Sequence, residues 1–100
     1  MKNLVYGSSP ILVADDVAEA VVQYASALVN ALVSDVVPIP TVDTAGVPTE
    51  TRVLLAPGIP LLAEDAPDDV LERPYPAFVE DLQLRTLEVV ASAQRNGTRD

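Results

Sequence analysis

Cysteine, histidine and tryptophan are absent from these 100 residues, and Lys2 is the sole lysine. Each absence removes a class of chemistry. Without cysteine there is no disulfide, no thiolate nucleophile and no thiolate-held zinc or iron–sulfur cluster. Without histidine there is no imidazole base near neutral pH, no Ser–His dyad and no histidine-ligated metal. A lysine at position 2 suits neither a buried Schiff base nor a P-loop. Cations are scarce too: 6 Lys and Arg stand against 15 Asp and Glu, a formal charge of −9. The phosphate backbone of nucleic acid and an anionic membrane surface both need clustered cations, so neither is expected as a partner. No cofactor is expected.

Long uninterrupted apolar runs are also missing. The richest stretch, Val17 to Val33, is broken by Glu19, Gln23, Ser26 and Asn30, which rules against a membrane span. The opening residues, Met1 to Asp16, have an apolar stretch broken by Gly7 and Pro10, unlike the core of a signal peptide. A cytoplasmic location is the expectation. Asn96-Gly97-Thr98 fits the glycosylation acceptor pattern, which without an export signal reads as a chance match.

What is present is material for a core. Hydrophobic residues make up 49% of the chain. A domain of this size buries roughly 65% of the surface its unfolded chain exposes. One domain over residues 1–95 is expected, with a short flexible tail at 96–100.

Leu4-Val5-Tyr6 and Ile11-Leu12-Val13, separated by Gly7-Ser8-Ser9-Pro10, predict a β-hairpin. A helix follows from about Asp16 to about Val33. Asp15 or Asp16 can cap it, and Asp16 with Glu19 has capping-box spacing. Val17, Val21, Tyr24, Ala25, Leu28, Ala31 and Leu32 recur at helical spacing on one face. Val36 to Asp43 and Thr49 to Ala56 predict two more strands around a turn at Thr44-Ala45-Gly46. In the second, Thr49, Thr51, Val53 and Leu55 alternate with Glu50, Arg52 and Leu54. Pro38 and Pro40, two residues apart, strip ladder N–H groups from one side of the first, so it should be an edge or pair on one side only. Ile59 to Ala63 predicts a short third strand. Glu64 to Pro76 reads as an acidic, proline-bracketed connector with one helical turn at Asp68 to Glu72. A last helix runs from about Pro76, tolerated in a first turn, to about Gln94 before the Asn96-Gly97 stop. The order ββα-ββ(β)-α predicts an α+β fold: an antiparallel sheet of four or five short strands with two helices on one face, a two-layer sandwich.

Three features carry possible chemistry. Val42-Asp43-Thr44-Ala45-Gly46 resembles the Asp-Thr-Gly signature of retroviral-type aspartic proteases, but Ala45 stands where the glycine belongs. Those enzymes are nearly all-β, whereas this chain commits residues 16–33 to a helix. A hairpin turn with Gly46 at positive φ is the better account. Glu64, Asp65, Asp68, Asp69 and Glu72 offer oxygens to a hard cation, though not at EF-hand spacing; a solvated acidic loop accounts for them as well. The third feature is the last helix. Phe78, Leu82, Val89, Val90 and Ala93 form one apolar stripe, with Thr86 inside it. Leu84, Leu87 and Ala91 form another, flanked by Arg85 and Glu88. A helix packed on a sheet needs one such face, so the second either buries under Ile59 to Ala63 or meets another chain.

The expectation is therefore a small, acidic, non-enzymatic interaction module that forms a homodimer through Leu84, Leu87, Ala91, Arg85 and Glu88. The acidic balance supports an alternative, an inhibitor- or antitoxin-like protein that covers a basic partner. A cation-binding protein or hydrolase using Asp43 or the connector is the third reading. No catalytic and no metal-ligating residue is assigned.

Overall fold

The computed structural model describes residues 1–43, 45–66 and 73–97. Among these residues five strands and two helices follow in the order β1 (Lys2–Tyr6), β2 (Ser9–Val13), α1 (Asp15–Ala31), β3 (Asp35–Val42), β4 (Pro48–Leu55), β5 (Leu61–Asp65) and α2 (Pro76–Gly97). The strands make one antiparallel sheet in the order β4-β3-β2-β1-β5. This is the α+β arrangement the spacing predicts. The helical turn expected at Asp68 to Glu72 lies outside the described residues.

The first hairpin closes more tightly than its turn residues suggest. Tyr6 faces Ser9, so two residues make the turn rather than four. Gly7 at φ 63 permits this, because a two-residue hairpin loop of this hand needs positive φ at its first position.

Proline decides how the sheet is joined. Asp43 N–H donates to Val47 O at 3.0 Å, which sets the phase of the β3–β4 ladder. Bonding direction alternates along a strand, so Asp35, Val37, Ile39 and Thr41 turn to β4 while Val36, Pro38, Pro40 and Val42 turn to β2. On the facing side of β2 stands Pro10. Three residues of the β2–β3 seam therefore have no N–H to give. The observed pairing matches: β3 pairs with β4 along all eight residues, but with β2, among the described residues, only at Val42 opposite Leu12. β3 is not an edge strand, yet one of its sides is nearly unpaired.

That single joint lets the β3–β4 ribbon swing. In a flat sheet, Leu55 and Tyr6 would lie about 30 Å apart at ~3.3 Å per residue. Instead Ala56 N–H donates to the Tyr6 hydroxyl at 3.0 Å, so the ribbon folds back toward the β1–β2 turn. α1 spans the inside of this bend. Its early residues Asp15 and Ala18 adjoin Lys2 and Ala63, and its later residues Ala25 and Val29 adjoin Tyr6 and Leu61. Leu4, Val13, Val17, Val21, Leu28, Val37, Ile39, Leu55 and Leu82 are its fully buried core. α2 lies along α1.

The ends of α1 differ from the sequence expectation. No described side chain caps its N-terminus, where Ala14 is the cap residue. Asp15 instead holds the Met1 amino group at 3.0 Å, and the Asp16 carboxylate accepts from Val17 N–H at 2.8 Å. The Asp16–Glu19 capping box does not form. The helix also ends early, at Leu32, which takes the left-handed conformation at φ 56. Leu32 N–H donates to Val29 O at 3.2 Å and Val33 N–H to Leu28 O at 3.1 Å, a Schellman closure without glycine. A left-handed leucine costs roughly 1–2 kcal/mol, and Leu32, at 81% exposed, recovers little of it by packing. Leu32→Gly is accordingly expected to raise stability by about 1 kcal/mol, read as a higher midpoint in urea with an unchanged slope.

β5 begins two residues later than Ile59. Gly58 at φ 90 and the Ile59-Pro60 pair are consumed by the connection, and Gly7 N–H reaches Pro60 O at 3.0 Å. The strand then takes in Glu64 and Asp65, which the composition had assigned to the connector. Only one side of an edge strand is paired and its sequence alternates poorly, so its limits were hard to place.

Candidate functional site

The outer face of α2 is the candidate contact surface. Phe78, Val79, Leu82, Thr86, Val89 and Ala93 are buried or half-buried, so the helix turns this stripe inward. Val90, expected in it, is 39% exposed and joins the outer side. One residue accounts for the difference, since positions 89 and 90 lie about 100° apart around a helix. Val79, outside the expected stripe, is half-buried with it.

Leu84 is 56% exposed and Leu87 is 66% exposed. Ala91 is half-buried beside them and Glu88 is exposed. The alternative in which Ile59 to Ala63 covers this stripe is overturned. That segment runs along β1 at the sheet edge, and Ile59 and Leu61 lie with Tyr6, Val22 and Val29. A groove of about 190 Å³ separates the α1 end from α2, lined by Asn30, Ala31, Val33, Val89, Ser92 and Ala93.

Arg85 has a different place from its neighbours. Its Nη1 donates to Asp35 Oδ2 at 3.2 Å and its Nε to Asp81 Oδ2 at 3.1 Å. The Tyr24 hydroxyl donates to the same Asp35 oxygen at 2.6 Å. This network fastens α2 to the start of β3 and to α1. Burial, with the hydrogen bond and charge of Asp35, pushes Tyr24 up to about 12. Spacing alone marked Arg85 as a flank of the apolar stripe; its partner lies 50 residues away, where no local pattern could point.

The acids considered for chemistry are placed as follows. Asp43 Oδ1 accepts from Ala45 N–H and Val47 N–H, each at 2.9 Å, while Gly46 N–H donates to Asp43 O at 3.0 Å. With Gly46 at φ 81, Asp43 organises a hairpin turn, and its carboxylate is spent on backbone N–H groups. Lys2 pairs with Asp65 and holds that carboxyl below its usual range. Glu64 and Asp65 lie in β5, and Asp68, Asp69 and Glu72 lie outside the described residues. Among the described residues no three His, Cys, Asp or Glu side chains converge on a metal-sized position. No described helix is long and apolar enough to cross a membrane.

A cleft of about 460 Å³ opens at the β2–β3 seam, lined by Asn3, Leu12, Thr41, Asp43, Thr49 and Thr51 among others. Of the three prolines of the seam, Pro10 alone lines it. Its hydroxyls stand with one carboxylate, that of Asp43, whose Oδ1 already accepts two backbone N–H groups. Comparison with protein-family models, with curated proteins and with solved structures finds no match to this chain.

Proposed function

We propose that this protein is a non-enzymatic interaction module that pairs with a second copy of itself through the outer face of α2. The observation that carries the reading is the exposure of Leu84 and Leu87, 56% and 66%, on a helix whose other stripe is already buried. Charge favours a second copy. Glu80 and Asp81 are exposed near the start of α2 and Arg95 is exposed near its end. Two antiparallel copies crossing near Leu87 bring Glu80 and Asp81 of each helix toward the Arg95 of the other. At about 1.5 Å per residue, both ends are equally far from the crossing. Arg85 positions the helix from beneath, through Asp35, rather than touching the second copy.

Light scattering tests this. Leu84→Gln with Leu87→Gln should lower the solution mass at both low and high salt, with far-UV circular dichroism unchanged. Because both positions are exposed, stability should move by less than about 0.5 kcal/mol. An unchanged mass would reject α2 as the contact. The −9 charge supports a second reading, in which the same face covers a basic protein. In that case α2 makes no contact with a second copy, and a captured partner is released as salt screens the attraction.

A further inference from the structure

Among the described residues the sheet ends on one side at β4, whose outer edge has no neighbouring strand. The phase set by Asp43 and Val47 decides which groups face outward. Thr49, Thr51, Val53 and Leu55 spend their N–H and C=O on β3. Pro48, Glu50, Arg52 and Leu54 turn theirs to the open side. Proline sits where its missing N–H costs no ladder bond within the chain. Glu50 and Arg52 are both exposed, and neither side chain has an ion pair with a described residue. Leu54 is 51% exposed on the same face of the strand.

We propose that the outer edge of β4 is a second self-complementary surface, independent of α2, on which β4 of another copy pairs antiparallel about a two-fold axis through Thr51. In this register Glu50 of each copy stands directly opposite Arg52 of the other. Pro48 stands opposite Leu54, Thr49 opposite Val53, and Thr51 opposite itself. The outward N–H and C=O groups of Glu50 meet those of Arg52 in both directions, and each Leu54 N–H meets a Pro48 carbonyl. Cross-strand pairs of opposite charge stabilise such a ladder, and like charges directly opposite oppose it. That contrast fixes the register. Sliding by two residues one way sets Arg52 against Arg52, and sliding the other way sets Glu50 against Glu50.

Charged residues on an edge strand are often guards against pairing. Two charges of one sign would repel a second copy in this register and in the two next to it, whereas one acid and one base two residues apart attract in this register and repel in those two. The other free edge makes the comparison within the same sheet. β5 carries only Glu64 and Asp65 as charges, and a second copy offers them no cation on that strand. With both self-contacts in use, two different two-folds build a larger assembly than either makes alone.

The test is run on the Leu84→Gln/Leu87→Gln chain, so that a failure of the α2 reading stays separate from a failure of this one. That chain is expected to remain a dimer by light scattering. Adding Glu50→Arg sets two arginines opposite each other twice, and dimerisation should weaken by roughly tenfold or more. Adding Arg52→Glu to that variant swaps the charges and should restore the dimer. A monomer before Glu50→Arg, or no restoration by the swap, overturns the proposal. Far-UV circular dichroism confirms that each variant folds. A single cysteine in this cysteine-free chain reads the register directly. Facing Thr51 residues in a non-hydrogen-bonded pair have Cα atoms ~4.5 Å apart, within disulfide reach. Thr51→Cys should therefore cross-link under copper-phenanthroline oxidation, while Thr49→Cys, which faces Val53, should not. Equal cross-linking of the two would also overturn it.

Discussion

Replacing Leu82 by alanine should cost about 2–5 kcal/mol, the span measured for large-to-small changes at buried leucines. Leu82 is 1% exposed and is the one α2 side chain buried to that degree among the described residues. Its neighbours on the inward stripe, Phe78, Val79 and Val89, are only half-buried. They therefore lose less on undocking than Leu82 does, since the apolar term scales with area removed from water. Thr86 donates its hydroxyl to Leu82 O at 2.7 Å, a local bond that does not hold the helix to anything else. Small domains have about 5–15 kcal/mol in total, so the change removes a large share. Amides of α2 should then exchange with solvent ahead of those of α1. Leu84→Ala, two residues along on the outer face, should change stability by less than about 0.5 kcal/mol. Urea denaturation of both variants decides the matter. Equal costs would mean that α2 does not pack on α1 by this face.

The elements that could be read from the sequence were those with strong local causes. Val17, Val21, Tyr24 and Leu28 recur at helical spacing, and all four are buried. Asp43 and Gly46 are turn residues with a local mechanism, and they form the turn. The alternation of Thr49 to Leu55 gave the two faces of β4 correctly. What could not be read had causes distant in the chain. Leu32 ends α1 in the left-handed conformation without a glycine, and Asp35, three residues on, meets Arg85 from the far end of the chain. Asp15 was a helix cap by composition, but the Met1 amino group reaches it first.

The candidate surfaces divide in the same way. Leu84 and Leu87 were visible as a second stripe, because a helix has a fixed period. The charge pair of β4 was visible as composition but not as a surface. Its meaning depends on which side of the strand each N–H faces, and a single bond, Asp43 to Val47, settles that. The two prolines of β3 show the reverse. Their missing N–H groups predict one stripped side of the strand, and that side is the nearly unpaired seam with β2. Whether that side met solvent or another strand was a matter of topology.

Asp35→Ala should be the most costly polar change, about 2–3 kcal/mol, because it removes the acceptor that three elements share. A hydrogen bond to a charged group contributes roughly 1.5–3 kcal/mol, and a buried donor left without a partner adds its desolvation cost. Tyr24, 3% exposed, would be that donor. Arg85 would keep Asp81, so its share of the loss is smaller. Tyr24→Phe removes the buried hydroxyl along with its need for an acceptor, and should cost less, about 1 kcal/mol. The two variants also separate by pH. Burial, reinforced by Asp35, raises Tyr24 from the usual 10 to about 12, so the folded chain holds this proton more tightly than the unfolded chain. The stabilisation is complete below pH 10 and is lost as pH climbs from 10 toward 12. The wild-type chain should therefore weaken across that window more steeply than Tyr24→Phe, which has no proton there to lose. Urea midpoints at pH 9 and pH 11.5 for both chains measure the difference. Parallel declines would show that Tyr24 is hydrated in solution, and that Asp35 fastens α2 through Arg85 alone.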